Sequence, residues 1–309
     1  MIYTVTLNPA MDKTVVVENL TPGGVNRIRS LRVDVGGKGI NVSKCLKALG
    51  GESAAAAFWG GAAGQRGMAF LAENGIGSLP VILPQDTRTN LKIIDPIRQE
   101  NTDINEPGPT VSPEQVAELL EKLDGQAVSG DIVILSGSVP RGCEPTIYRD
   151  MITRYRARGA KVFLDADGEP FRLGLTAAPS LVKPNREELE RYVGRPLAAM
   201  EDVFGAAEQL LESGIEEVVV SLGAEGAVLL RQGLRLRAEG LQVPVGSTVG
   251  AGDAMVAALA YGMERGMAPA ERLRLAVAIS AASVMCSGTQ APEKKSIEEL
   301  FSRVTVREA

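Results

Sequence analysis

Apolar residues along the chain fall in short blocks that alternate between two spacings. Residues 2–7 are β-branched and apolar and stop at Asn8-Pro9, which predicts a buried first strand ending in a turn. Blocks at 54–58, 79–83, 131–135, 161–164, 180–182 and 217–221 read the same way. Another strand, 227–230, follows the turn Leu222-Gly223-Ala224-Glu225-Gly226. Between these blocks the period becomes helical. Val42, Cys45, Leu46 and Leu49 stand at i, i+3, i+4 and i+7, and Gly50-Gly51 closes the stripe. Further helices are predicted over 64–74, 113–124, 144–158, 170–176, 252–265, 270–286 and 296–304, with Ser112 capping and Pro113 at a first helical position. Such alternation predicts an α/β fold: a mostly parallel central sheet with helices on both faces.

Two polar stretches break the rhythm. Residues 14–17 alternate like a short strand, and 18–34 carry Pro22, Gly23, Gly24 and three arginines, Arg27, Arg29 and Arg32. Residues 86–106 place a strand-like run, 91–94, between Arg88-Thr89-Asn90 and a turn-rich segment. Neither stretch has the composition of a core. We expect them to form a small β-strand lid, from about 13–34 and 86–106, on a single domain spanning 1–309. No repeat, long linker or low-complexity segment suggests a second domain.

Composition narrows the function. Hydrophobic residues make up 45 % and charged residues 23 %, as in ordinary globular proteins. A net charge of −5 argues against nucleic acid as the main partner. No apolar run reaches the roughly 18 residues of a membrane span, and the start lacks the pattern of a signal peptide, so a cytoplasmic protein without membrane partners is expected. Cys45, Cys143 and Cys286 offer neither metal-ligand spacing nor a disulfide framework. Histidine is absent altogether. That excludes Ser-His-Asp hydrolysis, Cys-His proteases, HExxH metal sites and histidine-dependent dehydrogenation. A general base must be a carboxylate, lysine, tyrosine or cysteine.

Two glycine clusters each open a helix. In Ser247-Thr248-Val249-Gly250-Ala251-Gly252-Asp253 the amides of Gly250, Ala251 and Gly252 meet a helix's positive end, an arrangement that binds anions. Asp253 there reads either as a group satisfying helix-start amides or as a base beside a phosphoryl group in flight. Gly36-Gly37-Lys38-Gly39 is not a P-loop, because glycine rather than Ser/Thr follows the lysine, and no GxGxxG occurs. The second cluster suggests a sugar or sugar phosphate, with Asn41 one turn into the helix. Asp12 stands near the end of the first strand, where open α/β sheets place ligands, or in a plain surface turn. Arg88 reads as an anion contact at the lid's base or as a solvated charge. Asn185 and Glu188 have capping-box spacing, and Glu188 could also help to hold a hydrated Mg²⁺.

Taken in order, these segments resemble the PfkB (ribokinase-like) family of carbohydrate kinases over essentially the whole chain. The resemblance rests on Leu7-Asn8-Pro9 with Asp12, Gly36-Gly37-Lys38-Gly39-Ile40-Asn41-Val42 and Ser136-Gly137-Ser138-Val139-Pro140. It rests also on Val182-Lys183-Pro184-Asn185 with Glu188, Ser221-Leu222-Gly223-Ala224-Glu225-Gly226, and residues 247–253. Thr87-Arg88-Thr89-Asn90 and Ile104-Asn105-Glu106-Pro107-Gly108-Pro109 point to the hexose-phosphate branch. The resemblance implies ATP- and Mg²⁺-dependent phosphorylation of a ketohexose phosphate: fructose 1-phosphate first, with tagatose 6-phosphate or fructose 6-phosphate as alternatives. A non-catalytic sugar-phosphate sensor is a weaker alternative.

By the same resemblance Asp253 is the base, and the amides of Gly250, Ala251 and Gly252 form the anion hole. Asp12, Gly37, Asn41 and Ser138 would line the sugar site, with Lys38, Arg27 and Arg88 near the substrate's phosphate. Lys183, Asn185, Ser221, Gly223 and Gly226 would follow the nucleotide, with Glu188 near magnesium. The family's lid implies a homodimer. Val139, Arg141 and the acidic turn Asp165-Ala166-Asp167-Gly168 depart from the pattern, at positions expected to miss the reacting groups.

Overall fold

Strand alternation sorts the core into two layers. In the computed structural model, which describes residues 1–309, β1 (Ile2–Thr6) is buried along its whole length. Tyr3 and Val5 pack into the layer on one face, and Ile2 into the layer on the other. The chain leaves for the lid in β2 (Ala10–Val16) and β3 (Ser30–Gly36). It returns through α1 (Lys38–Ala48), β4 (Ser53–Gly60), α2 (Gly61–Glu73) and β5 (Gly77–Leu83). A second excursion, β6 (Arg88–Asp95) and β7 (Glu100–Asn105), completes the lid. After it come α3 (Pro113–Asp124), β8 (Ile132–Ser136), α4 (Ile147–Ala157), β9 (Lys161–Asp165), α5 (Gly168–Leu175) and β10 (Leu181–Val182). The C-terminal third holds α6 (Arg186–Val193), α7 (Met200–Glu212), β11 (Glu217–Ser221), β12 (Gly226–Arg231) and β13 (Leu234–Glu239). It ends with α8 (Ala251–Glu264), α9 (Pro269–Val284), α10 (Lys294–Phe301) and β14 (Val306–Glu308).

The main sheet has ten strands in the order β14-β13-β12-β11-β10-β9-β8-β1-β4-β5. From β11 to β5 every pairing is parallel, while β11 to β14 pair antiparallel, so "mostly parallel" holds. Residues of α3, α4, α5 and α7 fill one layer, and those of α1, α8, α9 and α10 fill the other. Each fully buried Leu, Ile, Val or Phe stabilises by about 1.5–3 kcal/mol. A buried, bidentate Arg272–Glu217 ion pair, 2.8 and 2.7 Å, ties α9 to β11. Periodicity along the chain did not predict α7, β13 or β14.

The lid is a separate four-stranded sheet, β3-β2-β6-β7. Its strands lie within residues 10–36 and 88–105, and β7 forms from residues that read as a polar turn. As an exposed edge strand it needs no apolar residues of its own. Asp95 joins the two excursions by accepting backbone N–H groups from Asn19, Leu20, Ile97 and Arg98 at 2.8–3.2 Å. Burial opposes its charge, but these bonds prevail and hold its carboxyl below the ordinary range.

Candidate active site

The parallel strands end at one cavity. Asp165 closes β9, Lys183 follows β10 and Ser221 closes β11, and all three line a space of about 450 Å³. Its opposite walls come from the two glycine turns and the underside of the lid. This is the crevice that open α/β sheets offer at their strands' C-terminal ends.

Glycine at both turns has a steric reason. Gly250 caps α8 with φ 85°, the left-handed region costly for other residues. Gly37 caps α1 with φ 110°, and a Cβ there would come within 2.7 Å of Thr6 Cγ2 and 3.1 Å of the Pro9 Cα. A Cβ on Gly36 would overlap the Asp12 carboxylate. Neither helix start has a side-chain cap, so its first amides remain available to a ligand. Asp253 therefore does not serve as the cap residue of α8.

Asp253 is buried, and its Oδ2 accepts a 2.9 Å hydrogen bond from Asn41 Nδ2 across the gap between α8 and α1. Burial, helped by the nearby Asp165 charge, pushes its carboxyl up to about 6, while Lys38, Asn41 and Lys183 pull the other way. Asp165 sits between two lysines, with Lys183 Nζ at 3.4 Å and Lys38 Nζ at 3.6 Å. Burial opposes its charge, but Lys183 and Lys38 prevail and hold it below its ordinary value. Asp165 in turn pushes Lys38 up, so that lysine stays charged. The result is an ionic floor: two cations bracketing a carboxylate, beside a second carboxylate that one asparagine orients.

The lid supplies the roof. Alternation places Asp12 and Thr14 of β2 on one face, with Arg88, Asn90 and Lys92 of β6 and Asp103 and Asn105 of β7. All of them line the cavity. Asn90 Nδ2 donates to Asp12 Oδ1 at 3.0 Å, and burial pushes the Asp12 carboxyl up. Arg88 donates to the backbone carbonyls of Glu106 and Asn8, both at 3.0 Å, which fixes the lid to its root.

The expected residues are mostly brought together. Asp12, Gly37, Lys38, Asn41, Arg88, Lys183, Asn185, Glu188, Ser221, Gly250, Gly252 and Asp253 line this cavity. Gly223, Gly226 and Ala251 line an adjoining apolar one of about 330 Å³, walled by Val243, Met255, Val277 and Ala281. Two expected residues lie outside both linings. Arg27 lies on the exposed β2–β3 connection and lines neither cavity, because the hairpin carries it past the sheet. Ser138 is exposed and outside the lining too. It accepts a 3.2 Å hydrogen bond from Asn8 Nδ2 after the left-handed Gly137 turns the chain outward. Lys38, within the lining, stands over Asp165 and beside Asp253 at the floor.

Sequence reasoning gave no role to Asp165, Asn90 or Lys92. Asp165 ends a parallel strand, as Lys183 nearly does, and that position was a usable signal. The acidic turn was expected to miss the reacting groups, yet Asp165 lines the cavity and presses on Asp253, whereas Asp167 faces a neighbouring groove with Glu188. Asn185 and Glu188 do form a reciprocal capping box, each bond 2.8 Å, and Glu188 reaches the cavity as well.

Comparison with known proteins identifies the family. The pfkB family carbohydrate kinase model matches residues 5–296. The chain belongs to this family. A 1-phosphofructokinase of Rhodobacter capsulatus is 40 % identical over 309 residues, covering 99 % of this chain and 97 % of that protein. The 1-phosphofructokinase of Escherichia coli K12 is 36 % identical over 306 residues, covering 99 % and 98 %. Among solved structures, phosphofructokinase-2 from Escherichia coli in complex with substrates and products superposes with a TM-score of 0.93. It is 30 % identical, with 98 % of each chain covered. The fold is thus ribokinase-like, and the chain is a carbohydrate kinase. No helix is long and apolar enough to cross a membrane.

Proposed function

We propose that this kinase transfers the γ-phosphoryl group of ATP to the free primary hydroxyl of fructose 1-phosphate, giving fructose 1,6-bisphosphate and ADP. Asp253 carries the reading. A buried carboxylate pushed up to about 6 is mostly ionised at neutral pH yet basic enough to accept the hydroxyl proton. The acceptor oxygen forms its bond to phosphorus as the bond to the β-phosphate oxygen breaks. The amides of Gly250, Ala251 and Gly252 receive the charge spread over the transferring group, and Lys38 and Lys183 neutralise what the helix start does not. Positioning and charge balance dominate such transfers, so no histidine is required.

The remaining residues take roles by position. Asp12, Asn90, Gly37 and Asn41 face the sugar hydroxyls. Arg88 fixes the lid's root on the side of the substrate's existing phosphate. Asn185 and Ser221 follow the nucleotide phosphates. The apolar slot flanked by Gly223, Gly226 and Ala251 suits an adenine ring. No group of three His, Cys, Asp or Glu side chains forms a protein-only metal cage. Glu188, with one carboxylate oxygen given to the Asn185 amide, fits a Mg²⁺ held mainly by substrate phosphates and water. Bound magnesium would shield the phosphate charges that the two lysines leave.

A homodimer through the lid is part of the proposal. The lid's outer face exposes Leu31, Val33 and Ile104 at 54 %, 46 % and 55 %, beside half-buried Leu91 and Ile93. A second copy would cover such a face with the same face of its own. We place the enzyme in the cytoplasm. An ADP-release assay over fructose 1-phosphate, fructose 6-phosphate and tagatose 6-phosphate tests the substrate. The 1-phosphate should show the highest kcat/KM, and a clear preference for either 6-phosphate would overturn that choice.

A further inference from the structure

The cations facing the cavity are not equivalent, and their partners separate them. Lys38 and Lys183 share the buried Asp165 and are committed to the floor. Arg88 spends hydrogen bonds on two main-chain carbonyls at the lid's root. Lys13 borders the cavity, but alternation along β2 turns its side chain towards the apolar face, where it pairs with Val33 and Leu91. Arg32, outside this lining, is held by both oxygens of Asp34. Lys92 remains.

Lys92 stands two residues beyond Asn90 on β6, on the face that lines the cavity. Two residues along a strand is roughly 7 Å, a span comparable to a hexose. Its ammonium lies 2.8 Å from Asp103 Oδ1 and 3.1 Å from Oδ2, directly across the β6–β7 pair. The Asp103 side chain is 52 % exposed, that of Lys92 only 18 %. An ion pair with a solvated partner is worth little. A half-buried ammonium aimed into a site for an anionic substrate can exchange such a carboxylate for a phosphate dianion at small cost. From this we infer that Lys92 is a specificity-determining residue: it holds the phosphate that the sugar already carries, and Asp103 occupies it until substrate enters. This rests on the sugar-phosphate reading above.

A merely structural cross-strand pair would behave differently, and two variants tell the cases apart. Lys92→Met removes the phosphate contact. It should raise KM for the sugar phosphate by about tenfold to a hundredfold, leaving kcat within a few-fold and KM for ATP unchanged, because a charge-assisted hydrogen bond is lost from binding alone. Asp103→Asn removes the competitor and the like charge beside the phosphate, so its KM should fall or stay at the wild-type value. The measurement is steady-state ADP release, with thermal unfolding of both variants as a folding control. Opposite behaviour of the pair supports the assignment. Parallel increases in KM, or no increase in Lys92→Met, overturn it. Choosing the ester by a wild-type substrate panel keeps the two readings apart. Preference for a different sugar phosphate changes the proposed function, while the variant pair still reports on Lys92.

Discussion

The floor and the roof of the cavity are built from different materials. The floor is the edge of a ten-stranded sheet, where Asp165, Lys183 and Asp253 are all buried. The roof is a four-stranded sheet whose β7 is exposed at every residue and whose β6 is half-buried up to its last residue. Charges on the floor are held in place by burial and by one another. On the roof Asp103 is half exposed, while Asp12, Arg88 and Lys92 are only partly covered. The proposed function divides along the same line: the transfer step needs a fixed field, and recognition of one sugar phosphate needs a surface that can close over it.

Several substitutions would sharpen or break that division, and the largest effect belongs to the floor. Asp253→Asn removes the base and should lower kcat by about 10²–10⁴-fold with nucleotide binding retained, measured by ADP release and by ATP titration. The same variant should be more stable than the parent. The carboxyl sits at about 6 when folded, against an ordinary 3.8. The folded protein therefore binds the extra proton between those values, and stability falls as pH rises through that window. Removing the charge should recover up to about 3 kcal/mol at neutral pH, read from denaturant unfolding. Near-normal turnover in Asp253→Asn would show that the floor does not supply the base.

Asp165→Asn comes next. It strands two lysines near each other in a buried setting and should cost roughly 3–5 kcal/mol of stability, seen as a lower Tm. It should also move the acid limb of the kcat profile below pH 6, because Asp165 is one cause of the raised Asp253 value. In the unaltered enzyme kcat should rise as pH increases through about 6. A flat profile from pH 5 to 7 would separate turnover from this carboxylate.

Effects on the roof should be smaller and confined to substrate. Asn90→Ala unpins the Asp12 carboxylate and should raise KM for the sugar phosphate by about tenfold with little change in kcat. A large fall in kcat instead would place Asp12 and Asn90 with the transfer machinery. Smallest for the single chain is Leu31→Glu on the outer apolar face. It should leave the core's secondary structure unchanged and shift light-scattering mass from dimer to monomer. An unchanged mass would mean that this face is not the interface.

Much of the molecule is legible in the order of its amino acids, and the reasons are local. Continuous apolar strands and the 3.6-residue spacing of Val42, Cys45, Leu46 and Leu49 mark elements buried on both sides. The two glycine turns are recognisable because a positive φ at Gly37 and Gly250 leaves few alternatives to glycine. The lid is legible as two stretches too polar for a core. Less legible are α7, β13 and β14, whose patterns are short or lie among charged residues. The placement of Arg27 and Ser138 outside the cavity lining was not legible either, because the direction in which a turn points a side chain is decided by the whole fold.

By itself, the order of residues determined the class of fold, two polar excursions, two glycine-led helix starts and a chemistry without histidine. These follow from periodicity, backbone sterics and composition, which act over a few residues at a time. Only the tertiary structure decided that Asp165 lies between Lys38 and Lys183, that Asn41 reaches Asp253 across 212 positions of chain, and that Lys92 faces inward beside Asp103. Electrostatic partners are set by distance and burial in space, and neither quantity exists until the sheet has closed.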